Sequence, residues 1–192
     1  MDSRFNYQNY LIRKNIMSLA GAKFHIFNPD GQEVFFSKMK AFKLKEDIRL
    51  YTDEDMQEEL LTIHARSVID FSATYDVFDA KANELIGSLK RKGMKSLMKD
   101  EWIILDANGT ETGLIKEDRM LLALVRRILT NLVPQKYHVE MNGTTVSTFK
   151  QNFNPFVVKL NLDFSANTNN SLDKRLGLAA GVLLCAIESK QN

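Results

Sequence analysis

Aromatic and branched apolar residues alternate with polar residues in five stretches of the chain, which begin near residues 24, 48, 75, 102 and 137. In the stretch "WIILDANGTETGLIK", Trp102 and Ile104 are two positions apart and therefore share one face of a strand. Asn108 and Gly109 follow, and such residues adopt the positive φ angles that tight hairpin turns require. The stretch near residue 48 has an acidic turn instead. The pattern predicts five β-hairpins in an antiparallel meander.

Two segments follow a helical pattern. Residues from about 117 to 132 repeat apolar side chains at helical spacing, with arginines on the other side, which predicts an amphipathic helix. Residues from about 171 to 188 include a run, 176–187, without a polar side chain. Such a run predicts a helix that is buried on every side.

The hairpins and the terminal helix together predict a barrel. The hairpins supply at least ten strands, and "PFVVKLNLDFS" alternates as one more. A closed barrel of that many strands is too wide for its own side chains to fill, so the apolar helix is expected to occupy its axis. Twelve helical residues span about 18 Å, which is too short to cross a bilayer core of roughly 30 Å. We expect one mainly β domain over residues 1–192.

The composition is typical of a globular protein and excludes strong electrostatic steering of the whole molecule. Of the 192 residues, 44% are hydrophobic and 26% are charged, and the formal net charge is +2. An electrostatic partner must therefore contact a local patch. The single cysteine, Cys185, lies in the apolar run and indicates a buried structural thiol. The first twenty residues contain no apolar segment of a secretion signal, which predicts a cytoplasmic protein.

The order of these units resembles the LURP-one-related family. The resemblance rests on "LYTDEDMQEELLTIHAR", on "YDVFDAKANELIGSLKRKGMKSLMKDEWIILDANGTETGLIKED" and on the hydrophobic C-terminal helix, and it extends from about Tyr10 to Ile187. This family belongs with the phospholipid scramblases and the Tubby C-terminal domain in one structural superfamily. The resemblance implies a Tubby-like closed antiparallel barrel of about twelve strands around a central helix.

The resemblance also implies a binding role near membranes. Tubby domains bind phosphoinositide headgroups through basic surface residues, and scramblases are associated with membranes. The chain lacks the cysteine-rich segment of scramblases and a counterpart of the calcium-binding segment proposed for them, so scramblase activity is not expected. A peripheral contact with the membrane surface stays open.

Basic residues cluster in "LKRKGMKSLMK", which is the candidate site for an anionic ligand. The members of this cluster are Lys90, Arg91, Lys92, Lys95 and Lys99. Arginine and lysine bind phosphate and anionic headgroups. On a strand, however, Lys90 and Lys92 would face away from Arg91, so a solvated surface is the alternative interpretation.

Other residues that could carry chemistry fit structural roles better. The acidic run "TDEDMQEE" lacks the spacing of an EF-hand loop and predicts a charged hairpin turn. His25, His64 and His138 show no metal-binding spacing. His25 and His138 occupy the same place in two repeats, which indicates a shared structural role.

No motif for catalysis or for a cofactor is present, so no catalytic residue, metal or cofactor is predicted. Aromatic residues make up 9% of the chain and do not interleave with basic residues, so nucleic acid is not an expected partner.

These observations predict a non-enzymatic cytoplasmic binding protein that recognises an anionic ligand, such as a phospholipid headgroup, through residues 90–99. The alternative is a protein-interaction or regulatory module with no lipid role, whose partner would bind independently of that cluster. A third hypothesis is an enzyme with a pocket at the barrel mouth, where polar groups would converge around an apolar cleft.

Overall fold

The computed structural model describes residues 2–17, 21–40, 47–66, 73–92, 101–118, 135–152 and 157–187. Their elements are a 3-10 turn at Ser3–Phe5, β1 (Asn9–Met17), β2 (Gly21–Phe27), β3 (Glu33–Lys40), β4 (Asp47–Tyr51), β5 (Glu59–Ala65), β6 (Thr74–Asp79), β7 (Glu84–Arg91), β8 (Glu101–Asp106), β9 (Glu111–Glu117), β10 (Lys136–Met141), β11 (Thr144–Gln151), β12 (Val158–Asp163) and the helix α1 (Lys174–Ile187).

The strands form a closed antiparallel barrel in which neighbours in sequence are neighbours in space. Around the barrel, the strand order is β1-β12-β11-β10-β9-β8-β7-β6-β5-β4-β3-β2. The first strand closes the barrel because it pairs with both β2 and β12. A closed twelve-stranded barrel with a buried C-terminal helix confirms the predicted fold class.

All five predicted hairpins are present, and each contains a β-bulge near the start of its second strand. The extra residues are Val34, Leu60, Ile86, Thr112 and Val146. A bulge bends its strand and increases the local twist. Five bulges at corresponding places therefore help the meander to curve into a barrel.

The five hairpins and β12 account for eleven of the twelve strands, and the twelfth is β1. Its side chains alternate in burial, as those of a strand do. Tyr10 and Ile12 are buried, whereas Leu11 and Arg13 are half-buried. The five repeated units begin at residue 24 and therefore do not include this strand. It closes the barrel by pairing with β12 on its other side.

The helix α1 fills the barrel interior, as its uniformly apolar sequence predicts. Residues 176–186 are all buried. A Cβ atom on Gly177 would lie 2.5 Å from the ring of Phe164, and one on Gly181 would lie 2.9 Å from Ile12. These two glycines therefore keep the helix thin where the strands approach it.

The helix begins at Lys174, three residues later than predicted, because Asp173 caps it. The Asp173 Oδ1 atom accepts a hydrogen bond from the backbone N–H of Arg175 at 2.9 Å, which satisfies one free donor of the first turn. At the other end, the ammonium group of the buried Lys14 donates to the carbonyl oxygen of Cys185 at 2.9 Å. A cation there is favourable because the last carbonyls of a helix carry partial negative charge.

The predicted amphipathic helix at about 117–132 falls mostly outside the described residues, which stop at 118 and resume at 135. Its first residue, Glu117, belongs to β9. Within the described ranges, no helix is both long enough and apolar enough to cross a membrane.

Candidate anion-binding surface

The basic cluster at residues 90–99, which we call the terminal β7 cluster, is divided in its described part between two faces of the barrel. Lys90 pairs with Ile103 and Arg91 pairs with Trp102, whose side chain is buried. Since successive side chains of a strand alternate, Arg91 lies on the same side of the sheet as Trp102, and Lys90 lies on the outer side. Arg91 is also close enough to Tyr75 for its charge to oppose the rise in the pKa of Tyr75 that burial causes.

Lys92 is already paired, because its Nζ atom lies 3.2 Å from Glu101 Oε2. Lys95 and Lys99 lie outside the described residues. The three described members thus do not share one cationic face, and an anion site formed by the whole cluster stays a prediction.

A groove of about 820 Å³ lies on the outer surface beside β1, β11 and β12. Its apolar wall includes Leu11, Phe27 and Pro29, and Thr148 and Asn161 add polar groups. Two cations, Arg13 and Lys150, also line it. The groove therefore combines an apolar wall with positive charge, which is the combination that small-molecule sites use.

Arg13 lines this groove and forms no ion pair with the residues that the structure describes. Its guanidinium carbon lies 5.5 Å from the centre of the Phe27 ring, which is cation–π contact distance. Its Nε atom is buried and has no hydrogen-bond partner within the described ranges. A buried donor without an acceptor is costly, and a guanidinium fork matches the oxygens of phosphate or carboxylate. The side chain is therefore suited to bind an anion.

The strand register extends the positive charge from Arg13 across the sheet. Arg13 lies opposite Lys159 of β12, and Lys150 of β11 lies opposite Lys136 of β10. We call Arg13, Lys159, Lys150 and Lys136 the basic row. It occupies four adjacent strands, with a step of two residues between Lys159 and Lys150, because Lys150 lies opposite Asn161. Since strands are about 4.8 Å apart, its width across the sheet is about 14 Å.

The basic row is poorly neutralised by the part of the protein that the structure describes. Lys136 lies 4.0 Å from Asp118, at the limit of an ion pair, whereas no acidic side chain of the described ranges forms an ion pair with the other three members. The carboxylate of Asp163 lines the groove, but it accepts a hydrogen bond from the backbone N–H of Ser165 at 2.8 Å. Like charges directly opposite each other on a sheet are destabilising, so an anionic ligand would relieve the repulsion.

The basic row is the surface that sequence reasoning missed. Lys136 and Lys150 lie opposite each other within one hairpin, whereas Arg13 joins the other members only when β1 pairs with β12. One signal was available: if residues 9–17 are assigned as a strand, the side chain of Arg13 must lie on the outer face, opposite to that of Ile12.

The two histidines of the repeats both lie beside a carboxylate. His25 Nδ1 is 3.1 Å from Glu33 Oε1, and His138 Nε2 is 3.3 Å from Asp118 Oδ2. These contacts agree with a shared structural role. His64, by contrast, is exposed.

The acidic run and the cysteine, which could also carry chemistry, lie in the positions expected of structural residues. Asp53 and Asp55 lie on the exposed turn between β4 and β5, where Asp53 Oδ1 accepts a hydrogen bond from the backbone N–H of Asp55 at 3.0 Å. Cys185 is buried in the core, and burial raises the pKa of its thiol to about 12. A thiol with so high a pKa is a poor nucleophile.

Comparison with known proteins identifies the family of the chain. The sequence matches the family described as LURP-one-related over residues 8–171. The X-ray structure of a protein from Arabidopsis thaliana is similar to this chain, with 10% sequence identity, a TM-score of 0.49, and coverage of 99% of this chain and 97% of the plant chain. No curated protein matches the sequence. Because the family match spans most of the 192 residues, the chain belongs to the LURP-one-related family.

Proposed function

We propose that this protein is a non-enzymatic cytoplasmic binding protein that recognises a phosphate-bearing anion through the basic row and the adjoining groove. The proposal rests on Arg13, which lines the groove with its guanidinium against Phe27 and whose Nε atom has no hydrogen-bond partner among the described residues. Family membership supports a binding role in general.

The length of the basic row favours a ligand with more than one anionic group. Arg13 and Lys159 are direct cross-strand neighbours and can contact one phosphate together. Lys136 lies three strands away from Arg13, about 14 Å, which is beyond the reach of that same phosphate. A phosphorylated headgroup and a soluble polyphosphate both meet this requirement, and the phospholipid headgroup is the form that membrane contact would supply.

The terminal β7 cluster is a second candidate for the same chemistry. Lys90 lies on the outer side of the sheet and is half-buried. Neutralisation of Lys92 by Glu101 weakens this candidate, and the described residues supply no groove beside it that matches the one beside Arg13.

Vesicle co-sedimentation tests both candidates with one set of variants. Phosphatidylcholine vesicles with and without phosphatidylserine are mixed with the protein at low and at high salt. The proposal predicts binding to the acidic vesicles alone, and loss of that binding at high salt, because salt screens exposed charges. Arg13→Glu/Lys150→Glu should abolish binding, whereas Lys38→Glu, on an exposed lysine of β3, should have no effect.

The outcomes separate the candidates and the two sources of phosphate. If Lys90→Glu/Lys92→Glu/Lys95→Glu/Lys99→Glu abolishes binding while the Arg13 variant retains it, the proposed site is wrong and the terminal β7 cluster is supported. If vesicles do not bind but soluble tripolyphosphate does, the ligand is a soluble anion. If neither binds, the anion proposal fails, and a protein-interaction module becomes the better explanation.

A further inference from the structure

A histidine and two glutamates from three separate elements meet on the outer surface of the barrel. His25 belongs to β2, Glu33 begins β3, and Glu54 lies on the turn between β4 and β5. One ligand atom from each of the three lies within 4.8 Å of the other two. We propose that His25, Glu33 and Glu54 bind a divalent transition-metal ion. This inference is independent of the proposed anion binding.

The distances are close to those that a metal ion would impose. Zinc binds imidazole nitrogen and carboxylate oxygen at about 2.0–2.2 Å, so ligand atoms around one ion are roughly 3–3.5 Å apart. His25 Nδ1 is 3.1 Å from Glu33 Oε1 and 3.9 Å from Glu54 Oε1. Only Glu54 must move closer, and its side chain is on an exposed turn and is 52% exposed itself.

Neighbouring residues already hold the ligands in suitable orientations. Lys23 Nζ binds the Oε2 atom of Glu54 at 2.8 Å, which leaves Oε1 directed towards His25. The His25 ring packs edge-on against Phe36 at 5.3 Å and stacks near Phe27 at 6.5 Å. Such outer contacts orient metal ligands and raise their affinity in known sites.

The donor set identifies the class of metal. One imidazole nitrogen with two carboxylate oxygens suits Zn²⁺, Co²⁺ and similar first-row ions, whereas Mg²⁺ and Ca²⁺ prefer oxygen ligands alone. Three protein ligands leave at least one position for water, and the open surface beside Glu54 makes water accessible.

The repeat structure of the barrel provides a matched control. His138 occupies the corresponding place in the last hairpin and pairs with the carboxylate of Asp118. In the described ranges, only the group around His25 brings two carboxylates to one histidine. A metal site should therefore exist at His25 and not at His138.

Calorimetric titration of the tag-free full chain with Zn²⁺ tests the proposal. The buffer must be free of phosphate, because Arg13 lies directly opposite His25. We expect one Zn²⁺ ion per chain, an affinity at least about tenfold lower in Glu33→Gln and in His25→Ala, and no change in His138→Ala. Glu54 lies on an exposed turn, so Glu54→Gln removes one proposed metal ligand without disturbing the fold.

A second readout does not depend on heats of binding. Co²⁺ should produce visible absorption bands with the natural chain and with His138→Ala, and weaker bands with Glu54→Gln. Metal should also raise the unfolding temperature of the natural chain, since a ligand that binds only the folded state stabilises it. Absence of Zn²⁺ binding, or equal binding by the natural chain and His25→Ala, would overturn the proposal and leave the three residues as an ion-pair cluster.

Discussion

Two basic regions of this protein differ in how closely their residues follow one another in the sequence and in how the barrel arranges them. The terminal β7 cluster is contiguous in the chain, yet the strand sends Lys90 and Arg91 to opposite sides of the sheet. The basic row is scattered over β1, β10, β11 and β12, yet the barrel brings its members together on one face. Cross-strand register, rather than spacing in the sequence, therefore assembles a charged face on a sheet.

The two regions also differ in how their charges are satisfied. Lys92 is paired with Glu101 at 3.2 Å, whereas Arg13 has an aromatic contact, and its Nε atom has no acceptor among the described residues. A charge that the protein already neutralises offers little to a ligand. A guanidinium that forms no ion pair with the described residues offers more, so Arg13 is the residue on which the proposed function depends.

The largest expected effect comes from breaking the barrel that assembles the basic row. Ala180 is buried in α1, and Ala180→Asp would place an unpaired charge in the core at a cost of about 3–5 kcal/mol. We expect the cooperative unfolding transition to be lost or strongly shifted to lower temperature, as monitored by circular dichroism. Ala107→Asp, the same change on an exposed turn, should leave the transition in place; equal effects of the two changes would contradict a buried helix.

The second largest effect, on the free energy of unfolding, is expected from an arginine that, unlike Arg13, forms ion pairs within the protein. The guanidinium of Arg175 binds Asp79 at 2.8 Å and Asp173 at 2.6 Å. Arg175→Gln should therefore lower the free energy of unfolding by about 1–3 kcal/mol, while Arg13→Gln should leave it nearly unchanged. Urea denaturation measures both. A larger loss for Arg13→Gln would mean that Arg13 is structural.

A smaller effect should appear as pH dependence at the same ion pair. Burial raises the pKa of Asp79, but hydrogen bonds from the backbone N–H of Ala82 and from Arg175 outweigh it and lower the pKa below its ordinary value of 3.8. A lowered folded-state pKa stabilises the protein above that ordinary value, and the contribution is lost as the pH falls further. When the pH is lowered from 5 to 3, the unfolding temperature should therefore fall further for the natural chain than for Asp79→Asn.

The smallest effects should come from single substitutions in the basic row, which rank its lysines by their contribution to vesicle binding. Lys136 already lies 4.0 Å from Asp118, whereas no ion pair holds Lys159 within the described ranges. Lys159→Gln should therefore weaken binding to acidic vesicles more than Lys136→Gln does, and both should weaken it by less than about tenfold because a single exposed charge contributes little. Sedimentation titrations rank the two, and the reverse order would place the ligand nearer to β10.

Much of the fold could be predicted from the sequence because it is locally encoded. Turn residues such as Asn142 and Gly143 mark the hairpins, and both adopt positive φ angles, 50° and 79°. The apolar run of α1 is apolar around its whole circumference, so the helix must be buried on every side, and the interior of a wide barrel can bury it. The bulges were harder to predict, because the extra residue, such as Leu60 beside Leu61, looks only like a break in alternation.

The candidate site could not be predicted in the same way, because it depends on long-range register. The pairing of Arg13 with Lys159 follows from the closure of the barrel by β1, and no local pattern specifies that closure. That Arg13 Nε has no hydrogen-bond partner among the described residues is likewise a property of packing. Only the pair of Lys136 and Lys150 lies within one hairpin and could be expected from a local turn.

The role of Arg13 is tested most directly by comparing two single neutralisations, Arg13→Gln and Lys92→Gln, in calorimetric titrations with soluble tripolyphosphate at low salt. We expect Arg13→Gln to lower the affinity by about tenfold or more, since a lost charge-assisted bond is worth about 1.5–3 kcal/mol. We expect no change for Lys92→Gln, whose charge is already paired with Glu101. Equal affinities for the natural chain and Arg13→Gln, or a loss confined to Lys92→Gln, would show that Arg13 does not bind the anion.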